Sequence, residues 1–436
     1  MYSIYNILIN IVFVIAFPYL ILKAALGKHG IKERMGRLPL GKTDKLTSNK
    51  VIWFHAASVG EVKVLSTIVP QVKRKHPECK LVVSTMTKTG KREAQRILQQ
   101  VELVFFVPVD LKRFVRRALK RTKPAALILV ETEIWLNLIR EAKRNGSVVA
   151  LINGRISENS MRRYLLFKGL FKKALSQFDL LCMQSEEYKD RMIRLGASHD
   201  RIQVTGNMKF DRLLLMSESP DTKEMRRQML IGDNRLVLIG GSTRQGEEEI
   251  LVGVFKKLKE ESRNLIFILA PRHLDRLKQV ENILVQHGIG YIRKSQLAAI
   301  YLKSHPEADS PLDDHPVILL DTMGELSKLY SIGDVAFVGG SLVPVGGHNL
   351  LEPAIHGVPV LFGPHVEHFK EEAGILIDSG GGIRVKNQEE LYLNLSQLLA
   401  DERRRISIGE KAKETIRKRT GVTQKTTDLI FSFLEK

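Results

Sequence analysis

The stretch Val51-Ile52-Trp53-Phe54-His55-Ala56-Ala57-Ser58-Val59-Gly60-Glu61 decides the fold. Val51 to His55 is an almost unbroken apolar run, the mark of a strand buried on both faces as in a parallel sheet. Three small residues turn the chain, and an amphipathic helix begins at Gly60. Strand, turn and helix in that order make one βα unit. The unit repeats along the chain. In the first half, strands are predicted at Lys80 to Ser84, Leu103 to Val107, Ala126 to Val130, Val148 to Ile152 and Leu180 to Met183. In the second half they are predicted at Arg235 to Gly240, Leu265 to Ala270, Gly290 to Arg293, Val317 to Leu320, Val335 to Gly339 and Val358 to Gly363. Helical stretches separate most of them, so the fold class is α/β with two doubly wound parallel sheets. Such sheets bind ligands at the carboxyl ends of their strands, here in a cleft between the domains.

The chain has 436 residues, enough for two or three domains at about 100 to 200 residues each, and its net charge is +20. Residues 1 to 210 carry a net +22 and the remainder a net −2. The charge break coincides with the polar stretch Ser217 to Asp221, which reads as a linker. We therefore expect an anchor over residues 1–26, a first Rossmann-like domain over 27–216 and a second over 217–436, whose last helix has the option of packing back on the first domain. Residues 295 to 316 read as a surface loop. A basic half attracts polyanions: nucleic acid, an anionic membrane or a phosphorylated substrate. Cys79 and Cys182 are too few for a disulfide framework.

Met1 to Leu22 has no charged side chain, and Lys23, Lys28, Lys32 and Arg34 follow it. Its 19 mostly apolar positions from Ile4 to Leu22 would make a helix about 28 Å long. The run reads as an uncleaved anchor with the body on the cytoplasmic side, with flat insertion in the interface as a variant. A buried core helix is the plainer alternative. Met161 to Leu175 interleaves Arg162, Arg163, Lys168, Lys172 and Lys173 with Tyr164, Leu165, Phe167, Leu170 and Phe171, the pattern of a helix on an anionic lipid surface or of a core helix with a basic outer face. No GxxxxGK[ST] occurs, which argues against a P-loop enzyme, and no strict GxGxxG follows the first strand. His365 and His368 have no evident third ligand, and no catalytic metal is expected.

Chemistry is then left to turns at strand ends. Glu61 opens a helix after a turn of small residues and suits a general base, or simply a favourable charge at a helix start. Glu131 and Glu133 leave a buried apolar strand, where unpaired carboxylates are costly. Lys209, in Gly206-Asn207-Met208-Lys209-Phe210-Asp211, is placed to reach the cleft or to serve as an ordinary linker lysine. In the second half, Gly339-Gly340-Ser341-Leu342-Val343-Pro344-Val345-Gly346-Gly347-His348-Asn349-Leu350-Leu351-Glu352-Pro353 turns a strand into a helix near Asn349. That helix start offers a phosphate site, and Glu352 a ribose contact, against the alternative of a capping box between Asn349 and Glu352. Gly240 to Gln245 is a second Gly-rich turn, with Glu247, Glu248 and Glu249 opposing a phosphate. Pro271-Arg272-His273 brings a guanidinium to a strand end, and Asp321-Thr322-Met323-Gly324-Glu325 offers backbone groups to a base.

Taken in order, these turns resemble one family, the Kdo transferases of lipopolysaccharide synthesis. Glu33-Arg34-Met35-Gly36-Arg37, Asn153-Gly154-Arg155 and Thr205 to Asp211 belong to the likeness, which runs to about residue 400. The resemblance implies a GT-B fold and association with the cytoplasmic face of the bacterial inner membrane. It also implies a metal-independent inverting transfer of Kdo from CMP-Kdo to a lipid A precursor, with no cofactor and no nucleic-acid partner. By that likeness Glu61 is the base, and Glu131 and Lys209 stabilise the transition state. CMP is held by Pro271, Arg272, Met323, Gly324, Glu325, Asn349, Leu350, Leu351 and Glu352. Two departures stand out: Leu136 follows Trp135 where the family has proline, and the 295–316 loop is long. The alternatives are another membrane-associated GT-B enzyme using a UDP-sugar and a non-catalytic basic nucleic-acid-binding protein.

Overall fold

A computed structural model describes residues 2–25, 30–46, 50–217, 221–303 and 312–435. The chain forms two compact units, one reaching to Arg212 and resuming at Arg419, the other spanning Leu213–Lys418. The expected division at 216/217 therefore moves by four residues. The chain after Arg419 belongs to the first unit. Residues 218–220 of the expected linker lie outside the described residues.

The first unit is built on seven parallel strands: β1 (Val51–His55), β2 (Lys80–Thr85), β3 (Leu103–Phe106), β4 (Ala126–Val130), β5 (Val148–Gly154), β6 (Leu180–Met183) and β7 (Ile202–Val204). Their order is β3-β2-β1-β4-β5-β6-β7, so the sheet is wound outward in both directions from β1 and β4. Alternate side chains feed two cores. Ile52 and Phe54 pack beneath the helix Val59–Lys75 and the final helix Val422–Leu434, while Val51 and Trp53 join Val115, Leu119, Leu138 and Ile139 on the other face. This explains why β1 shows no polar alternation: neither face meets water.

The final helix returns to the first unit through specific contacts. Asp211 accepts from the backbone N–H groups of Gly421 and Thr423, which caps the start of Val422–Leu434. Gly206 has φ +105°, and a Cβ there would stand 2.8 Å from Val422 Cγ2. The Gly206-to-Asp211 turn thus seats that helix.

The second unit has strands β8 (Leu236–Thr243), β9 (Leu265–Pro271), β10 (Tyr291–Arg293), β11 (Val317–Leu319), β12 (Val335–Val338), β13 (Val360–Phe362) and β14 (Gly382–Arg384), in the parallel order β10-β11-β9-β8-β12-β13-β14. It too is covered on both faces, by cores around Phe255 and Phe267 on one side and Ile266 and Ile268 on the other. Both sheets place their carboxyl-end turns where such folds bind ligands.

Three expectations need correction. Residues 295–316 are not one loop: Lys294–Lys303 is helical and its start is held by Asp321, whose carboxylate accepts from Ser295 N at 2.9 Å, while 304–311 lie outside the described residues. Met161 to Leu175 is not one helix but two, Glu158–Leu165 and Lys168–Leu175, with Leu166 and Phe167 exposed at the break. The spanning anchor is not supported either, since no helix among the described residues is long and apolar enough to cross a membrane. Tyr2–Ala25 is a helix, but part of it is tied to the first unit. Tyr5 donates to Asp110 at 2.7 Å, Asn137 donates to Asn6 at 3.0 Å, and Phe13 meets Phe114 edge to face at 5.3 Å. Ile4, Ile7, Leu8, Ile11, Val12, Val14 and Ile15 are left exposed.

Candidate active site

In the first unit, adjacent strands β1 and β4 release their chains side by side, with His55 level with Leu129. The turn after β1 holds Glu61 firmly. Ser58 caps the helix by accepting from Glu61 N, its hydroxyl donates to Glu61 Oε1 at 2.8 Å, and Ala57 N donates to Oε2 at 2.7 Å. Such bonds favour a carboxylate, yet burial outweighs them. The Glu61 side chain is nearly enclosed, and desolvation, helped by the charges of Glu133 and Glu131, pushes its pKa up to about 7.

Glu131 and Glu133 follow β4. Glu131 sits in the left-handed region at φ +62° and receives Arg155 Nε at 2.8 Å. Burial drives the Glu133 carboxyl up, but the neighbouring His55 ring and the hydrogen bond from the Trp135 indole together bring it below the ordinary value. His55 is fully buried; its Nδ1 lies 2.9 Å from Ser84 Oγ, and its Nε2 stands 3.5 Å from Glu133 Oε2, outside formed hydrogen-bond geometry. Asn153, also left-handed at φ +50°, accepts from Met208 N at 3.0 Å, and its Nδ2 is buried with no partner. That bond ties the end of β5 to the turn carrying Lys209, which forms no ion pair among the described residues. The first unit therefore collects three carboxylates, a histidine and a lysine at one set of strand ends.

The residues expected to hold the nucleotide are arranged less uniformly. Pro271 ends β9 and is buried; Arg272 follows it exposed, its N–H bonded to Thr243 O at 3.0 Å. Met323 is exposed and Gly324 is left-handed at φ +87°. Glu325 pairs with Lys294 at 2.7 Å and accepts from Thr322. Gly324 and Glu325 line a cavity of about 460 Å³ with Met225, Lys294, Leu297 and Lys328. Asn349 to Glu352 do not line it. Asn349 Nδ2 donates to Glu352 Oε1 at 3.1 Å and Oδ1 accepts from Leu351 N at 3.2 Å, while Leu350 and Leu351 are buried.

The helix expected from Asn349 is a single turn, Leu351–Ala354, too short to concentrate a useful dipole. The amides of the Gly-rich turn are occupied as well. Glu247, fully buried, accepts from the N–H groups of Gly340, Ser341 and Leu342 at 2.6 to 2.9 Å and from Arg244 N at 2.9 Å. A carboxylate of the chain itself takes the amides at the start of the Gly-rich turn, ahead of the Asn349 region where a phosphate was expected. The sequence signal was present in Glu247, directly after a Gly-rich strand end, but pointed to repulsion of an anion rather than to substitution for one.

Two seven-stranded parallel sheets with acidic and basic side chains gathered at their carboxyl ends define the class as a two-domain Rossmann-like protein of GT-B type. The UDP-GlcNAc 2-epimerase of Neisseria meningitidis, solved with UDP-GlcNAc, shares this fold: TM-score 0.58 at 14% identity, over 89% of this chain and all of that one. Residues 29–212 match the model of the 3-deoxy-D-manno-octulosonic-acid transferase (Kdo transferase) family. The 3-deoxy-D-manno-octulosonic acid transferase of Chlamydia trachomatis serovar A is 33% identical over 385 residues, 88% of this chain and 85% of that protein. A bifunctional glycosyltransferase/methyltransferase of Fusobacterium nucleatum is 38% identical over 79% of this chain, which spans about half of that relative (52%). The chain belongs to the Kdo transferase family and is a glycosyltransferase of lipopolysaccharide synthesis.

Proposed function

We propose that the protein moves Kdo from CMP-Kdo to a sugar hydroxyl of a lipid A precursor in one inverting displacement, with Glu61 as the base. The observation that carries this reading is the buried Glu61 carboxyl, pushed up to about 7 beside two further carboxylates. A group at that value is ionised often enough at neutral pH to accept a proton and basic enough to pull it. Glu61 takes the acceptor hydroxyl's proton as the oxygen attacks the anomeric carbon. The bond from that carbon to the phosphate oxygen breaks, and CMP leaves as a phosphate monoester.

Glu131, oriented by Arg155, and Lys209, without an acidic partner among the described residues, are the groups we assign to stabilising the charge that develops. Pro271 and Arg272 serve the nucleotide phosphate. Met323, Gly324 and Glu325, beside their cavity, and Asn349 to Glu352 serve the nucleoside. The exposed apolar row from Ile4 to Ile15, and Leu166 with Phe167 next to Arg162, Arg163 and Lys168, would rest on an anionic inner-membrane surface from the cytoplasmic side. Ligand-dependent melting tests the donor. CMP at 100 times its dissociation constant should stabilise the protein by about 2.7 kcal/mol, and UDP by much less. An equal or larger shift with UDP would point to a UDP-sugar instead.

A further inference from the structure

The carboxyl end of the second sheet gathers five basic side chains: Arg244 after β8, Arg272 and His273 after β9, His348 after β12 and His368 after β13. Arg244 is central. Its Nε donates to His348 Nε2 at 3.2 Å and its Nη1 lies 2.5 Å from His273 Nε2. A guanidinium has no acceptor, so both imidazole nitrogens must present lone pairs to it. Glycines let the rings lie against the backbone: a Cβ on Gly340 would stand 3.2 Å from His348 Nε2, and one on Gly346 would stand 2.5 Å from His368 Nδ1.

Among the described residues no carboxylate forms an ion pair with any of the five. The acids that follow Arg244 are engaged elsewhere, Glu247 with four backbone amides and Glu248 with Arg276 at 2.9 Å, while Glu367, next to His368, faces His365 at 3.8 Å. The field is strong enough to be felt locally. Burial, then the charges of Arg244 and Arg272, push His348 down to about 4. The two guanidinium charges of Arg244 and Arg272, held near one another without a counter-ion, oppose folding, and that arrangement is understandable where an anionic ligand completes it.

We propose that Arg244, its plane fixed by His348 and His273, binds the carboxylate of the donor's octulosonic acid, while Arg272 serves the phosphate. This rests on the CMP-Kdo reading given above. A CMP-linked ulosonic acid carries two negative charges, a phosphodiester and a carboxylate, on the same anomeric carbon. Two permanent guanidinium charges match them. With Nε and one Nη1 hydrogen held by imidazoles, Arg244 keeps both Nη2 hydrogens and one on Nη1 to offer a carboxylate. His348 and His273 are positioning residues in this arrangement.

The test compares wild type with Arg244→Ala and Arg244→Lys, full length, by CMP titration and by kinetics with CMP-Kdo. CMP affinity should stay within about twofold of wild type in both variants, which also verifies that the second unit is folded. KM for CMP-Kdo should rise about 10- to 100-fold in Arg244→Ala, with partial rescue by Lys, whose point charge lacks the fork. An unchanged KM for CMP-Kdo overturns the proposal. So does an equal loss of CMP affinity, which would give Arg244 to the phosphate. A wild-type protein that binds neither CMP nor CMP-Kdo would instead overturn the donor reading, and this subsite with it.

Discussion

Glu61 shows most clearly how one side chain can be structurally expensive and chemically useful. Its carboxyl is pushed from the ordinary 4.5 to about 7, so the folded protein keeps a proton that the unfolded chain releases as pH rises between those values. Ionising Glu61 therefore opposes folding, and stability is lost as pH climbs toward 7, by at most about 3 kcal/mol. Gln keeps an acceptor for Ala57 N and carries no charge. Glu61→Gln is expected to melt a few degrees above wild type at pH 8 and at the same temperature at pH 4, as differential scanning calorimetry would show. A lower melting point for the variant at pH 8 would contradict the buried, strained carboxylate. For activity the sign reverses: kcat/KM should rise with pH through about 7 as the base ionises, and a flat profile from pH 5.5 to 8.5 would remove Glu61 from that role. Glu61 was legible because a turn of small residues delivered it to a helix start. The size of its pKa shift was not, since that depends first on burial in the folded unit and then on Glu133 and Glu131 arriving from a neighbouring strand. Arg244 and Glu247 were hidden for the same reason: their partners, His348 and the amides of Gly340 to Leu342, lie about a hundred residues away.

The strands that were readable are those buried on both faces. Val51–His55, Ala126–Val130 and Leu180–Met183 have the expected bounds, because continuous burial demands continuous apolar sequence. The two missed strands, Ile202–Val204 and Gly382–Arg384, are three-residue edges with a polar or exposed member, and nothing in so short a run separates strand from loop. Helices were misjudged where their support is distant. Lys294–Lys303 starts under an Asp321 cap that sequence proximity does not reveal. Asp211 illustrates the same kind of support within a motif that reads as functional, for its carboxylate caps the final helix while Lys209 carries the proposed chemistry. Asp211→Ala should destabilise the first unit by about 1–3 kcal/mol and speed hydrogen exchange over residues 422–434. It should leave CMP affinity unchanged. Unaltered exchange there would show that the helix is held by its apolar face alone.

For the whole molecule, the charge asymmetry read from the sequence remains the best guide to surroundings. The basic first half carries both the exposed apolar row from Ile4 to Ile15 and the exposed Leu166–Phe167 corner. Ile11→Glu with Ile15→Glu alters that row at side chains 51% and 74% exposed, leaving Phe13 on Phe114. The double variant should keep the wild-type melting temperature and lose most of its flotation with anionic liposomes. Undiminished flotation would mean that other surfaces do the binding. The GT-B architecture was legible because βα units have a strong period in sequence, and the option that the last helix packs on the first unit is the one taken, through Val422, Ile430 and Phe431 in its core and the Asp211 cap. Transfer itself is the most direct test of Glu61 as the base. Purified wild type and Glu61→Gln, each given CMP-Kdo and a tetraacylated lipid A precursor, can be compared by mass spectrometry of the lipid over time. Wild type should add Kdo mass to the lipid, and Glu61→Gln should do so about 100- to 10,000-fold more slowly while binding CMP normally. Kdo addition by the variant at the wild-type rate would contradict the account.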